Sequence, residues 1–203
     1  MRFEKTDAYR EFLAVYHRFV AEWIVPQLGQ GALLYQRKPI LRVVLPGSVP
    51  PTALHCDADY WHDANELNFW VPLTRVAGAN SLWSETEPGK GDFAPFVAAP
   101  GQLLRFYGNR CRHYTIANDS GAPRVSFDFR VIPSRLFTPP SAMAERHSKH
   151  TLNPGISKRG YYALAHPPGS EEGALTPSEV AGWRRAWREE KNRSEELAVA
   201  PSK

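Results

Sequence analysis

The sequence predicts a mainly β protein, an antiparallel sandwich or barrel, with one support helix before it and a polar, partly helical tail after it. Three observations carry that expectation. Six short segments rich in β-branched and aromatic residues follow one another without helical periodicity between them. Turn signals at Pro46-Gly47, Pro88-Gly89, Pro100-Gly101 and Ser120-Gly121 punctuate them. One of the segments, Arg124 to Val131, alternates strictly between polar and apolar side chains, which is the period of a strand. A chain of 203 residues suffices for one domain with a full core and falls short of two ordinary ones.

The helix comes first. From Thr6 or Asp7 to about residue 24, Phe12, Tyr16, Phe19, Val20 and Trp23 recur at spacings of three and four, giving one apolar face that packs on a core. Pro26 is expected to end it. The strand candidates are then 40–45, 67–71, 81–83, 103–107, 113–116 and 124–131. In the last, Arg124, Ser126, Asp128 and Arg130 share one face and Val125, Phe127, Phe129 and Val131 the other, so the polar face either meets solvent or lines a polar cavity. Beyond Pro139 the chain turns polar and irregular, with His147 and His150. Thr176-Pro177-Ser178-Glu179 is a capping box with proline at the first helical position, and Trp183 and Trp187 follow four apart, which predicts a helix over 177–193. The expected organisation is a β domain over 1–141, with its N-terminal helix at 6–24. A polar extension over 142–203 follows, in which 142–173 is a candidate lid over the barrel mouth.

Composition narrows the class. The net charge of +4 is spread evenly, with 15 basic and 13 acidic side chains in residues 1–141 and 10 and 8 in 142–203, so no basic stripe marks a nucleic-acid surface. No apolar run approaches the roughly 20 residues that span a bilayer. The N-terminus leads straight into an amphipathic pattern, unlike a signal peptide, so a cytoplasmic protein is expected. Cys56 and Cys111 are expected as free thiols, since a disulfide-dependent scaffold carries more cysteines. The expected partner is a small polar molecule, with no nucleic acid and no membrane, bound by a monomer or homodimer.

Chemistry concentrates in Leu-His-Cys-Asp-Ala-Asp-Tyr-Trp-His-Asp, residues 54 to 63. On a strand, His55 and Asp57 share one face and Cys56 takes the other, so His-x-Asp is a two-ligand unit for a metal. The pair Asp57 and Asp59 can also be drawn, and would suit a hard ion such as calcium or magnesium. The leading third ligand is His113, which opens a later strand. Two histidines and one carboxylate form the facial set of non-haem Fe(II) sites. A rival Cys2His2 zinc site from His55, Cys56, Cys111 and His113 needs a loop, because adjacent strand residues diverge. Arg124 lies eleven residues after His113, across the turn-forming stretch 116–123, and a hairpin would bring its guanidinium near the metal as a partner for a carboxylate.

His55-Cys56-Asp57, His113 and Arg124-Val125-Ser126 resemble the iron and co-substrate motif of the Fe(II)/2-oxoglutarate-dependent dioxygenases, and among them the phytanoyl-CoA dioxygenase-like branch. The runs Trp70-Val71-Pro72-Leu73-Thr74, Asn80-Ser81-Leu82-Trp83 and Gly108-Asn109-Arg110-Cys111-Arg112-His113-Tyr114 are similar to small dioxygenases of streptomycin-type antibiotic biosynthesis. The resemblance covers about residues 35 to 137. It implies a double-stranded β-helix, or jelly roll, and a 2-oxoglutarate-dependent non-haem iron dioxygenase that uses Fe(II), 2-oxoglutarate and O2. By it, His55, Asp57 and His113 are the iron ligands and Arg124 binds the distal carboxylate of 2-oxoglutarate. Thr115, Ser126, Arg42 and Asn68 reach the same co-substrate, although Arg42 stands where relatives usually carry an amide.

Substrate contacts are expected from Asp59, Tyr60, Trp61, Asn80 and Trp83, with Arg130 behind them. The acids Asp59, Asp63, Glu66, Glu85 and Glu87 cluster around the site in sequence and would suit an amine-bearing substrate such as an aminoglycoside or aminocyclitol intermediate. His62 and Asp63 read as a solvated strand end. Two other classes remain open: a cupin-like metal enzyme that does not use 2-oxoglutarate, and a non-catalytic jelly-roll binding module.

Overall fold

The structure is a computed structural model that describes residues 3–28, 31–49, 52–60, 62–137 and 161–166. Trp61, the helix expected over 177–193, and all of the candidate lid except 161–166 lie outside the described residues. The strands are β1 Leu33–Gln36, β2 Ile40–Val44, β3 Leu67–Pro72, β4 Trp83–Ser84, β5 Ala94–Pro95, β6 Leu104–Phe106, β7 His113–Tyr114, β8 Arg124–Pro133 and β9 Tyr162–Ala165. The chain divides into two compact units, Pro39–Val131 and Met1–Lys38 with Ile132–Lys203.

The unit Pro39–Val131 is a two-layered antiparallel jelly roll. One sheet runs β6-β3-β8-β2 and the other β5-β4-β7. β8 is the central strand of the larger sheet, and its alternation decides which side chains enter the interior. Asn68 pairs with Arg130 and Phe106, Trp70 with Asp128 and Leu104, and Arg42 with Ser126, so these residues all share one face. Arg124, Ser126 and Arg130 are buried on that face, and Asp128 is half-buried. The polar face left open by the sequence therefore lines the interior rather than meeting solvent. An apolar cluster of Trp70, Val76, Leu82 and Ala98, flanked by Phe96, Leu104 and Phe106, fills the rest of this interior.

The hairpin expected between residues 113–116 and β8 does not form. β7 pairs with β4 in the smaller sheet, while β8 pairs with β3 and β2 in the larger one. The turn-rich stretch 116–123 is thus a crossing between layers, fastened where Asn118 donates to the carbonyls of Val44 and Ala122.

The other unit holds the helix. Thr6 caps it by accepting the N–H of Tyr9, and α1 runs Asp7–Phe19, as the sequence predicts. Pro26 does not stop it: a π-helical turn, Val20–Ile24, and a last α-helical stretch, Val25–Gln27, carry it onward. In the wider turn the N–H of Val25 reaches Val20, which makes room for the proline ring. The same turn moves the buried face from the third to the fourth residue, so Ile24 is buried and Trp23, expected inside, is 63% exposed. The Tyr16 hydroxyl donates to the carbonyl of Gln36, tying α1 to β1, which pairs with β9. Among the described residues no helix is long and apolar enough to cross a membrane.

Candidate metal centre

His55 is no part of a regular strand. It forms an isolated antiparallel bridge with His113, each N–H bonding the other's carbonyl at 3.2 and 2.8 Å. A directly opposed pair of this kind puts both side chains on one face, and the two imidazoles lie 4.3 Å apart between centroids. The backbone then turns into a 3-10 helix, Asp57–Tyr60, which departs from the strand geometry expected for 54–63. Asp57 still returns beneath the histidines, because its N–H bonds the carbonyl of Gly108 and that of Ala58 bonds Asn109. The Asn109 amide also donates to the carbonyls of His62 and Asp63, so the segment 107–111 is the template on which 57–63 is laid.

His55, Asp57 and His113 present ligand atoms that all lie within 4.8 Å of one another. Both Nε2 atoms are 3.8 Å from Asp57 Oδ1. Each ring's other nitrogen faces a carbonyl, Ala53 at 2.7 Å for His55 and Cys111 at 3.0 Å for His113. A carbonyl can only accept, so the Nδ1 atoms carry the protons and the Nε2 lone pairs converge on the space before Asp57. Burial pushes the His113 imidazole below its usual pKa despite the nearby Asp57 charge, which keeps it neutral. For Asp57, burial works against the charge, but the Arg130 guanidinium outweighs it and holds the carboxyl well below the usual carboxylate range. Two imidazoles with converging Nε2 atoms and one firmly ionised carboxylate suit a divalent cation. Both cysteines are free thiols, and neither belongs to this group.

Arg130, expected near substrate, lines the recess before the two histidines and is bound to Asp57, with Nε 2.8 Å from Oδ2 and Nη2 2.9 Å from Oδ1. Asn68 Nδ2 bonds Oδ2 at 2.6 Å. Glu66, wholly buried, stands 3.5 Å from Arg130 and 2.7 Å from His62 Nδ1. His62 is therefore an interior residue and not a solvated strand end. Gly108 makes room for this group: a Cβ there would come within 2.8 Å of the Asn68 amide.

Arg124 lines the same recess as His55, His113, Arg42, Asn68 and Trp70. It is 2% exposed, bonds the Asn80 carbonyl at 3.2 Å and lies 5.8 Å from the Trp70 ring centroid, while its Nε has no hydrogen-bond partner among the described residues. Among the described residues no carboxylate comes within 4.0 Å of it. Burial, reinforced by the charge of Arg42, lowers its pKa to about 10. Ser126 Oγ on the same strand is also buried without a partner among the described residues. Arg42 pairs with Asp128 at 3.1 Å, and Thr115 Oγ1 accepts the N–H of Thr52, a neighbour that lines the recess itself.

The remaining expected contacts are dispersed. Asp59 accepts the N–H of Cys56, and Tyr60 is partly exposed with its ring 5.1 Å from that of His55. The Asn80 side chain is turned to the backbone of Ala77 and Arg75. Trp83 is opposite Tyr114 in the β4–β7 register, on the face away from His113, and donates to Gly78. Of the acids thought to form a cluster, Glu85 accepts the N–H groups of Arg112, Gly91 and Gly89, Asp63 accepts those of Asn65, and Glu66 faces Arg130. Among the described residues these acids do not gather into one group. Sequence reasoning missed the parts of Gly108 and Asn109, although both stand inside a run already singled out, and it assigned Glu66 to the substrate side rather than to Arg130.

Fold and site together define a jelly-roll domain with a two-histidine, one-carboxylate metal-site candidate in its interior and, beside it, a buried arginine with no acid partner among the described residues. No family model matches the chain. Over 108 residues it is 39% identical to the streptomycin biosynthesis protein StrG of Streptomyces griseus, an alignment covering 53% of this chain and 51% of that protein. The chain thus spans about half the length of the curated relative it matches. The resemblance to a streptomycin-type biosynthesis protein is borne out by that match. Solved structures similar to it include the non-heme monooxygenase ThoJ in its Ni complex, with TM-score 0.48, 15% identity and coverage of 86% of this chain and 71% of that one. Another is the non-heme alpha ketoglutarate dependent epimerase SnoN from nogalamycin biosynthesis, with TM-score 0.46, 20% identity and coverage of 64% and 57%.

Proposed function

We propose that the domain is an Fe(II)- and 2-oxoglutarate-dependent oxygenase that hydroxylates, or oxidatively closes a ring in, a small polar natural-product intermediate. Arg124 is the observation that carries the reading. A buried guanidinium without an acid partner is costly, and the cost is met when a ligand supplies the anion. The planar fork suits a carboxylate, and among the described residues Ser126 Oγ and Arg124 Nε are open hydrogen-bonding atoms of the same face, as is the acceptor Asn68 Oδ1.

Charge supports the same pair of ligands. Arg42, Arg124 and Arg130 are balanced by Asp57, Glu66 and Asp128 when the histidines are neutral. A divalent cation and a dianionic dicarboxylate also cancel. Together they could enter a buried site without leaving it a net charge, whereas either alone would unbalance it.

In this reading His55, Asp57 and His113 hold the iron, and Arg124 receives the far carboxylate of 2-oxoglutarate. Bound iron with this keto acid and O2 supplies the oxidising power. The chain does the rest. The Cys111 and Ala53 carbonyls keep the histidine lone pairs turned inward, Trp70, Leu82 and Phe106 exclude water from one side, and Arg42 with Asp128 closes another. Similarity to a streptomycin biosynthesis protein supports an antibiotic intermediate as substrate. An aminoglycoside or aminocyclitol rests on that similarity alone, since the acids are committed elsewhere.

The test is an anaerobic titration with Fe(II) and then 2-oxoglutarate, watching the weak visible band of the iron chelate. The band is expected with the wild type and absent with His113→Ala and Arg124→Met. No band with folded wild-type protein, or equal bands with both variants, would refute the proposal. Metal binding without a 2-oxoglutarate band would favour the cupin-like alternative.

A further inference from the structure

The three candidate ligands are held by different means. His55 and His113 sit on a backbone bridge, which fixes their rings through the main chain. Asp57 sits on a 3-10 turn with no sheet partner, so the direction of its carboxylate must be set by what its side chain touches. Those contacts are unequal. Oδ2 accepts both Asn68 Nδ2 at 2.6 Å and Arg130 Nε at 2.8 Å, which occupies its two lone pairs. Among the described residues Oδ1 accepts only Arg130 Nη2, at 2.9 Å, and its other lone pair is the one left facing both Nε2 atoms.

We infer that Arg130, with Asn68 opposite it in the β3–β8 register, is a positioning residue that restricts Asp57 to a single ligand oxygen, Oδ1. The inference rests on the metal-site reading above. Arg130 is itself held, because Glu66 lies 3.5 Å from its Nε and Asp128 3.9 Å from its Nη1. Glu66 is wholly buried and braced by His62, so the guanidinium has acids on three sides and little freedom to swing. A carboxylate held by a bidentate fork cannot rotate to offer both oxygens to one ion. A metal held here would take one protein position fewer than with a chelating aspartate, which would leave room for a two-point co-substrate and a further small ligand.

A buried ion pair could instead serve stability alone, and the experiment separates the two. Co(II) is titrated into the full chain and into Arg130→Lys, which keeps the charge and loses the fork, with binding and visible d–d spectra recorded and folding checked by circular dichroism. Wild-type protein is expected to bind, and Arg130→Lys to bind about 10 to 100 times more weakly with an altered spectrum, the usual effect of residues that orient a metal ligand. Folded Arg130→Lys with wild-type affinity and spectrum would overturn the inference and leave the metal site standing. Wild-type protein that takes up no Co(II) would overturn the metal reading and the inference with it. Should Arg130→Lys fail to fold, Asn68→Ala removes one of the two donors to Oδ2, and a spectrum identical to wild type then overturns the inference in the same way.

Discussion

Replacing Arg124 with methionine removes a charge while keeping much of the side chain's volume, and two opposed terms set its effect on stability. Burial lowers the Arg124 pKa from 12.5 to about 10, which at about 1.4 kcal/mol per unit disfavours the buried charge by about 3 kcal/mol. Against that stand one charge-assisted hydrogen bond to the Asn80 carbonyl, worth about 1.5 to 3 kcal/mol, and the Trp70 contact, worth about 0.5 to 1. The terms nearly cancel, so Arg124→Met is expected to stay within about 1 kcal/mol of wild type without ligand, a Tm change of about 4 °C at most for a chain of this size. With an inert divalent ion present in every sample, so that its own stabilisation is common to both, addition of 2-oxoglutarate should separate the two proteins. At a hundredfold excess over Kd the wild type gains about 2.7 kcal/mol, while the variant gains nothing measurable. Differential scanning fluorimetry in the four combinations reads both effects. A variant that melts 10 °C lower without ligand, or one that keeps the ligand-induced rise, would refute the reasoning.

Asp57→Asn leaves the Arg130 guanidinium buried among fewer acids. It should cost about 3 kcal/mol of stability, the lower end for a broken buried pair because Glu66 remains, and a urea midpoint unchanged from wild type would count against it. Gly108→Ala puts a Cβ within 2.8 Å of the Asn68 amide, so the amide must move off Asp57. A loss of about 1 to 3 kcal/mol is expected, together with weaker Co(II) binding, and unaltered Co(II) affinity would show that Asn68 is dispensable there. The Asp92 carboxylate accepts the hydroxyl and N–H of Thr86, which hold its pKa at about 2. These bonds favour the folded loop above the ordinary carboxylate pKa and are lost as pH falls through about 2. The Asp92 carboxyl carbon should therefore titrate near 2 by NMR, and a midpoint near 4 would mean that the loop bonds do not form in solution.

Much of this architecture was legible where local pattern and tertiary role agree. Six strand segments were found because each carries β-branched or aromatic residues between turn signals, and the helix start because Thr6 is a capping residue before a 3.6-residue period. β1 escaped for a physical reason: all four of Leu33, Leu34, Tyr35 and Gln36 are buried, so the segment has no alternation to read. β5 is two residues long, and β9 lies in a stretch whose surroundings are polar. The hairpin error arose because turn-forming residues mark where the chain bends and say nothing of which strand it meets next. The π turn before Pro26 is likewise invisible to a period of 3.6, which is why Trp23 was placed on the wrong side.

Within the site, the residues read most securely are those whose role depends on their own chemistry, and those misread have roles that depend on a neighbour. His55, Asp57 and His113 converge as the residue types imply, even though a bridge and a 3-10 turn replace the expected strand. Arg130 and Arg124 have the same side chain, on the same face of the same strand, six residues apart. One is surrounded by three acids and the other by none within ion-pair distance among the described residues. Nothing in the alternation of β8 distinguishes them. The difference comes from what the adjoining segments place opposite, Asn68 on β3 with Glu66 just before it in one case and the Asn80 carbonyl with Trp70 in the other. A guanidinium saturated by its own chain can only position other groups, and one left unsaturated in the interior is available to a ligand. That distinction assigns the two arginines their different parts in the same recess.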